Sequence, residues 1–147
     1  MKFKGKEVRL SQRTGHLISL VAGLTQVNFD RRLKPYGVTR SQWIIMAAIT
    51  EEGAETAADI TKIMTLDATA VTRLVDRLEA KGLVRRIQDK ADRRVNRLEL
   101  TEEGQDLYPV LRDEADKTHD QFFGFLAETE EKHLAELLTR IKNNLSG

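Results

Sequence analysis

The chain has 147 residues, of which 40% are hydrophobic and 32% charged, and its formal net charge is +1. This composition predicts one helix-rich domain that is large enough to bury a core without covalent staples. The absence of cysteine excludes disulfides, thiolate metal sites and cysteine nucleophiles. No apolar run approaches the roughly 20 residues that span a bilayer, so we expect a cytoplasmic protein without a membrane partner.

The charges are unevenly distributed along the chain. Basic residues concentrate in 1–40 and 73–100, whereas acidic residues concentrate in 41–72 and 101–147. A near-neutral protein with this pattern can bind phosphate groups with a basic face, while its acidic faces repel them. For the acidic C-terminal segment, solvated helix faces are an equally good explanation.

Two helices are predicted before residue 54. The first spans 11–34, with Ser11 as its cap, and it ends before Pro35 because the residue preceding a proline avoids the α region. Thr39 caps the second helix, in which Gln42 occupies the capping-box position, and this helix ends near Gly53.

A helix, a tight turn and a second helix follow. The segment Thr56–Met64 has apolar residues at helical spacing, and the next helix begins at Asp67 and ends at Gly82, a C-cap signal. One side of this second helix is apolar. The other carries hydroxyls and guanidinium groups, which suit contact with an anion; its members are Thr69, Thr72, Arg73, Asp76 and Arg77.

Two strands are predicted next, at 83–87 and 95–101, around the charged hairpin tip QDKADRR. A helix-turn-helix followed by a basic hairpin is typical of a winged helix. There, one helix enters the major groove of DNA while the hairpin straddles the backbone or reaches the minor groove.

The remaining chain predicts two helices. One begins at Thr101 and accommodates Pro109 only as a kink, unless it starts nearer to that residue. The last spans 128–145 and has a strong apolar stripe. The fold class is therefore mainly α with a small β-wing.

The winged segment resembles a known family. The stretch ITKIMTLDATAVTRLVDRLEAKGLVRR, followed by DRRVNRLELTEEG, is similar to the winged helix-turn-helix of the MarR family of dimeric bacterial transcription regulators. The wing pattern of that family occurs here at Asp92, Arg94, Leu98, Leu100, Thr101 and Gly104. The resemblance implies a single domain over 1–147, with dimerisation helices at 11–34 and 105–147 and a DNA-binding lobe at 39–101. The sequence alone, without this resemblance, requires only that the apolar helices pack against another surface. That surface could be supplied by the helices of the same chain.

The resemblance and the chemistry of the side chains together predict which residues contact DNA. On the second helix of the motif we expect Thr69, Thr72, Arg73 and Arg77 to face DNA; an exposed face with an Arg73–Asp76 pair is the alternative. Helix N-termini favour anions, so we expect Thr39 and Ser41, at the start of the second helix, to contact DNA phosphates; a plain capping role is the alternative.

At the wing, we expect Arg94 to enter the minor groove with Asp92 orienting its guanidinium group, because a carboxylate near DNA is costly unless it orients a cation. A turn-forming aspartate in a solvated loop is the alternative explanation for Asp92. Arg93, Lys90 and Arg97 are expected to be either phosphate contacts or solvated side chains.

The family also implies an effector, commonly a small aromatic or phenolic anion bound between the dimer helices and the DNA-binding lobe. His16, Trp43 and Arg86 are the candidate contacts, although Trp43 is also a natural core residue and Arg86 a charge at the root of the wing. We predict no cofactor and no metal site.

The sequence thus predicts a DNA-binding transcriptional regulator that is not an enzyme. In detail, we expect a homodimeric repressor that leaves a palindromic operator when an effector binds. The alternative is a winged-helix module for protein interaction or DNA architecture, without an effector. An enzyme is disfavoured because the chain lacks a Gly-rich phosphate loop, a GxSxG motif and a clustered His–carboxylate constellation.

Overall fold

The computed structural model describes residues 2–3 and 6–146. Two 3-10 turns flank the first helix, at Leu10–Gln12 and Lys34–Tyr36. The regular elements, in chain order, are β1 (Lys2–Phe3), β2 (Lys6–Glu7), α1 (Thr14–Leu33), α2 (Arg40–Glu51), α3 (Ala57–Met64), α4 (Ala68–Ala80), β3 (Val84–Gln88), β4 (Asn96–Leu100), α5 (Glu102–Phe123) and α6 (Glu128–Ser146). The mainly α fold with a two-stranded wing is confirmed.

The helix-turn-helix and the wing enclose the core. The fully buried side chains come from the C-terminal end of α1, from α2, α3, α4 and β3, and from α5. They are Leu33, Ile45, Met46, Ile60, Val71, Val75, Leu78, Val84 and Leu111. Strands β3 and β4 pair antiparallel with Val84 opposite Leu100, which directs Leu98 and Leu100 into this core.

Helix starts follow the capping chemistry expected from the sequence, with one exception. Thr39, Thr56, Asp67 and Thr101 each accept a hydrogen bond from a backbone N–H in the first turn of the following helix. The predicted start of the first helix at Ser11 is wrong. Residues 10–12 form a separate 3-10 turn, because the extended backbone of Arg13 (ψ 126°) interrupts the helix, and α1 begins at Thr14.

One further feature differs from the sequence expectation, whereas the helix start predicted at Thr101 is found. The antiparallel pair β1–β2 near the N-terminus was not predicted. Helix α5 begins at Glu102 and continues past Pro109 to Phe123. It therefore combines the early start with an internal proline.

The outer helices leave long apolar faces uncovered. Helices α1 and α6 each expose a row of large apolar side chains, because each packs against the rest of the chain with only part of its surface. These residues are Leu17, Ile18, Leu20, Val21, Leu24 and Val27 on α1, and Leu134, Leu137, Leu138, Ile141 and Leu145 on α6. No helix in the described part of the chain is long and apolar enough to cross a membrane.

Candidate nucleic-acid interface

Helix α4 separates an apolar face from a polar face. Val71, Val75 and Leu78 have no exposed surface. At its start, the carboxylate of Asp67 accepts the backbone N–H of Ala70 at 2.8 Å. The opposite face is exposed and contains all four of the predicted DNA contacts of this helix: Thr69, Thr72, Arg73 and Arg77.

The arginines on this face have no carboxylate partner within residues 2–3 and 6–146. In particular, the Arg73–Asp76 pair considered from the sequence does not form, because Asp76 lies 2.7 Å from the guanidinium group of Arg86. An exposed cation without a protein partner is available to a phosphate or a base edge. Arg73 and Arg77 therefore have the accessibility that DNA contact requires.

The end of α4 is fixed by a glycine and a lysine. Gly82 adopts a left-handed backbone (φ +73°), and the N–H of Leu83 donates to the carbonyl of Leu78 at 3.0 Å, as in a Schellman cap. Lys81 donates its ammonium group to Oε1 of Gln42 at 2.7 Å and to the carbonyl of Gly37. These bonds hold the C-terminal end of α4 against the start of α2.

At the start of α2, Thr39 and Gln42 form the predicted capping box, with both bonds at 3.2 Å. The N–H of Arg40 donates to the carboxylate of Asp30 at 2.6 Å, which places a negative charge beside this helix N-terminus. Ser41 is half-buried. Thr39 is exposed, and its hydroxyl hydrogen is free for a further acceptor while its oxygen serves as the cap.

The tip of the wing is organised by Asp92. Its carboxylate accepts the backbone N–H of Arg94 at 3.0 Å and two guanidinium nitrogens of the same residue at 3.1 and 3.3 Å. The guanidinium bonds, followed by the backbone bond, lower the pKa of Asp92 below its ordinary value. The side chain of Arg94 is nevertheless 91% exposed, so its cation projects from the wing with a fixed orientation.

The other wing cations divide into two groups. Lys90 and Arg93 are exposed, and the carbonyl of Arg93 accepts the side-chain amide of Gln88 at 2.8 Å. Arg97 instead donates to Asp89 at 2.8 Å and to Glu55, which lies in the loop before α3. Sequence reasoning considered Arg97 as a phosphate contact and missed Glu55 and Asp89. The only available signal was the presence of carboxylates in and near a basic hairpin.

The three predicted effector contacts are not brought together within one chain. Trp43 packs edge-on against Phe29, with ring centroids 4.9 Å apart, and its buried indole N–H has no acceptor. His16 precedes Phe29 by 13 residues, about 20 Å along the helix axis. Arg86 is bonded to the carboxylates of Asp76 and Glu79, at 2.7 and 3.0 Å.

A groove of about 440 Å³ lies where α1 meets α2. Its lining includes two cationic residues, Arg31 and Lys34, the carboxylate of Asp30, and the apolar side chains of Val27 and Val38. The Asp30 carboxylate, which accepts the backbone N–H of Arg40, leaves this groove with two cations and one anion beside an apolar surface. Across the part of the chain that the structure describes, no cluster of histidine and acidic residues could hold a metal ion.

The comparison with known proteins agrees with this geometry. The model of the MarR family matches residues 38–95, the segment from the start of α2 to the wing. The transcriptional regulator YybA of Bacillus subtilis (strain 168), of the HTH type, is 27% identical over 129 residues, covering 87% of this chain and 85% of YybA.

Two solved structures extend the likeness to nearly the whole chain. CouR from Rhodococcus jostii RHA1, bound to p-coumaroyl-CoA, is 28% identical with a TM-score of 0.85, covering 92% of this chain and 95% of CouR. A mutant of MarR from E. coli, in complex with operator DNA, is 26% identical with a TM-score of 0.78, covering 86% of this chain and 91% of the mutant chain. Residues 38–95 therefore match the MarR family, and over nearly its whole length the chain is similar to winged helix-turn-helix proteins of that family, which are DNA-binding transcriptional regulators.

Proposed function

We propose that the protein is a homodimeric repressor that binds a palindromic operator and is released from it by a small-molecule effector. One observation supports the proposal, namely that two kinds of surface occur on the same chain. Helix α4 exposes unpaired cations and hydroxyls, and the wing exposes the oriented guanidinium group of Arg94. The outer helices α1 and α6 expose apolar faces. Action on DNA also supports the predicted cytoplasmic location.

The apolar faces of α1 and α6 support the homodimer. Val27 and Leu145 are 59% and 81% exposed, and both end rows of several exposed apolar side chains. Contiguous apolar surface of this kind marks an interaction site in a soluble protein. A two-fold dimer through these helices presents two copies of α4 to successive turns of the duplex, which requires a palindromic site.

Each DNA contact has a role that follows from its chemistry. Arg73 and Arg77 are proposed to bond guanine edges or phosphates, while Thr69 and Thr72 supply a hydroxyl and a methyl group in the major groove. Arg94 is proposed to enter the minor groove, where narrow A·T tracts attract arginine. Three further residues are proposed as phosphate contacts: Thr39, Ser41 and Arg93.

The effector is proposed to be a small aromatic or phenolic anion. The CouR structure supports this class, since that protein is bound to p-coumaroyl-CoA. In this chain, the indole N–H of Trp43 lacks an acceptor. The separate groove beside α1 offers Arg31 and Lys34 to an anion, next to the carboxylate of Asp30. His16 and Arg86 remain proposed contacts; His16 must come from the partner subunit, and at Arg86 the anion must compete with two carboxylates.

The first experiment is a fluorescence-anisotropy titration against duplex DNA from the protein's own promoter, with a scrambled duplex beside it at the same salt concentration. The wild type should prefer the promoter duplex. Arg94→Ala should weaken that binding by about tenfold, because a well-placed arginine contact is worth about 1–3 kcal/mol. Arg85→Ala is the matched control, since Arg85 is on the same hairpin but is paired with Glu99.

Equal and weak binding to both duplexes, unaffected by Arg94→Ala, would contradict the proposal. Addition of aromatic acids to the promoter complex then tests the effector. A compound that lowers anisotropy must have a higher affinity for the DNA-free state, whereas a complete lack of response favours a winged-helix module without an effector. Transcription from the promoter, with and without the protein, separates repression from activation.

A further inference from the structure

Three charged residues that are distant in the sequence meet at one side of the wing. Arg97 on β4 donates Nε to Asp89, which follows β3, at 2.8 Å, and Nη1 to the carboxylate of Glu55 in the loop before α3. Next to them, the N–H of Leu98 donates to the carbonyl of Glu55 at 2.8 Å. We call this group the Glu55–Arg97–Asp89 clamp.

One end of the clamp organises the wing tip. The other oxygen of the Asp89 carboxylate accepts the backbone N–H groups of Ala91 and Asp92, at 2.7 and 3.3 Å. Only 14% of the Asp89 side chain is exposed, and these N–H groups lower its pKa below the ordinary value. Since Asp92 in turn holds Arg94, hydrogen bonds link Arg97 continuously to the cation at the tip.

The other end of the clamp is attached to a fixed part of the helix-turn-helix. Asp59 on α3 accepts the backbone N–H groups of Glu55 and Thr56, at 2.9 and 3.1 Å. The hydroxyl oxygen of Thr56 accepts the backbone N–H of Asp59 at 3.2 Å, which completes a capping box. The backbone of Glu55 is therefore held at the start of α3, which packs against α4 through its buried Ile60.

We propose that the Glu55–Arg97–Asp89 clamp fixes the wing relative to helix α4, so that Glu55 and Arg97 are positioning residues for DNA binding that do not themselves touch DNA. The inference rests on the proposed function, in which the wing tip contacts DNA through Arg94. Without the clamp, the hairpin keeps its backbone ladder and the Leu98–Glu55 backbone bond, but its tip loses the side-chain tie to the loop before α3. The wing tip then samples more orientations, and the loss of conformational entropy on binding lowers the affinity for DNA.

The direction in which Glu55→Gln changes the affinity for DNA distinguishes this positioning role from long-range electrostatics. Glu55→Gln removes a negative charge near the proposed DNA surface, so long-range electrostatics predicts tighter binding. Loss of the clamp predicts weaker binding. Glu99→Gln is the matched control, because Glu99 is a partly exposed acid on the same hairpin, pairs with Arg85 and lies outside the clamp.

Three measurements on the full-length chain test the proposal. First, Glu55→Gln should weaken promoter binding by about two- to fivefold, the range expected for a partly exposed ion pair. Glu99→Gln should leave binding unchanged or make it tighter. Second, in an Arg94→Ala background Glu55→Gln should have almost no further effect, since both changes act through the same tip.

Third, hydrogen exchange of the free protein should show faster exchange of the wing-tip amides in Glu55→Gln than in the wild type or Glu99→Gln. Unchanged exchange, or promoter binding at least as tight as that of the wild type, would overturn the clamp. So would an equal loss of affinity with and without Arg94. A wild type that does not distinguish promoter from scrambled DNA would refute the proposed function itself, and the exchange data would still decide whether the clamp holds the wing.

Discussion

Gly104 provides a sharp test of how α5 is seated against the wing. It is buried in the first turn of α5, and a Cβ atom added there would lie 2.1 Å from the carbonyl oxygen of Leu83 and 3.4 Å from Cβ of Leu100. Side-chain carbons do not approach an oxygen this closely. Gly104→Ala therefore forces the start of α5 to move by about an ångström away from the root of β3.

The cost follows from the bonds at this junction. The Leu83 carbonyl also accepts the N–H of Thr101 at 3.0 Å, and the Thr101 hydroxyl accepts the N–H of Gly104 at 3.0 Å. Overpacking costs about 1–3 kcal/mol and a lost cap about 1 kcal/mol, whereas alanine in a helix returns about 0.5–1 kcal/mol. We expect Gly104→Ala to lower the free energy of unfolding by about 2 kcal/mol. For a chain of this length, Tm should then fall by roughly 4–8 °C.

Urea and thermal unfolding monitored by circular dichroism, at one fixed protein concentration, measure this effect. Gly15→Ala is the matched control, since no atom lies within 4 Å of the Cβ it would add and the residue is helical. The control should be as stable as the wild type or more stable by about 0.5–1 kcal/mol. If Gly104→Ala unfolded at the wild-type urea concentration, the close contact between α5 and Leu83 would be refuted.

Two further predictions concern the helix-turn-helix. Thr65, in the turn between α3 and α4, has a left-handed backbone (φ 52°, ψ 35°) that a β-branched residue adopts at a cost. Thr65→Asn should raise the free energy of unfolding in urea by about 0.5–1 kcal/mol, part of the cost of the left-handed conformation; a less stable variant would contradict the strain. The backbone N–H of Glu55, followed by that of Thr56, lowers the pKa of Asp59 below 3.8. This carboxylate therefore stabilises the fold above that pH, and its contribution is lost as the pH falls through the lowered pKa. Urea unfolding at about pH 7 and about pH 3 should show a smaller pH dependence in Asp59→Asn; an identical dependence would contradict the assignment.

The local features of this fold could be predicted because their causes lie within a few residues. The capping box of Thr39 and Gln42 spans four positions, and the Asp67 cap and the Gly82 turn each depend on one residue at a helix end. The amphipathic pattern of α4 required only helical spacing. The same locality explains why Asp92 could be matched with Arg94, two residues away.

Contacts between distant segments could not be predicted in the same way. Arg97 and Glu55 are 42 residues apart, and no periodic pattern relates a β-strand to the loop before α3. The pairing of Arg86 with Asp76 depends on how β3 lies against α4 after the Gly82 turn. From the sequence alone, Asp76 could be considered only as a partner of Arg73, its neighbour on the helix, in the alternative to DNA contact. Tertiary packing decided between these two partners.

These tertiary pairs determine which cations of the segment 73–97 remain available. From 73 to 97 the sequence contains nine lysines and arginines and only four acidic residues. The folded chain commits Lys81 to α2, and Arg85, Arg86 and Arg97 to carboxylates. Among the described cations from 73 to 97, those left without such a tie are Arg73 and Arg77 on α4 and Lys90 and Arg93 at the wing tip, where Arg94 is oriented outward by Asp92. A paired arginine contributes less to counterion release than a free one. Within 73–97, the cations available to phosphate therefore lie on α4 and at the wing tip, which also carry the groups proposed to read the grooves.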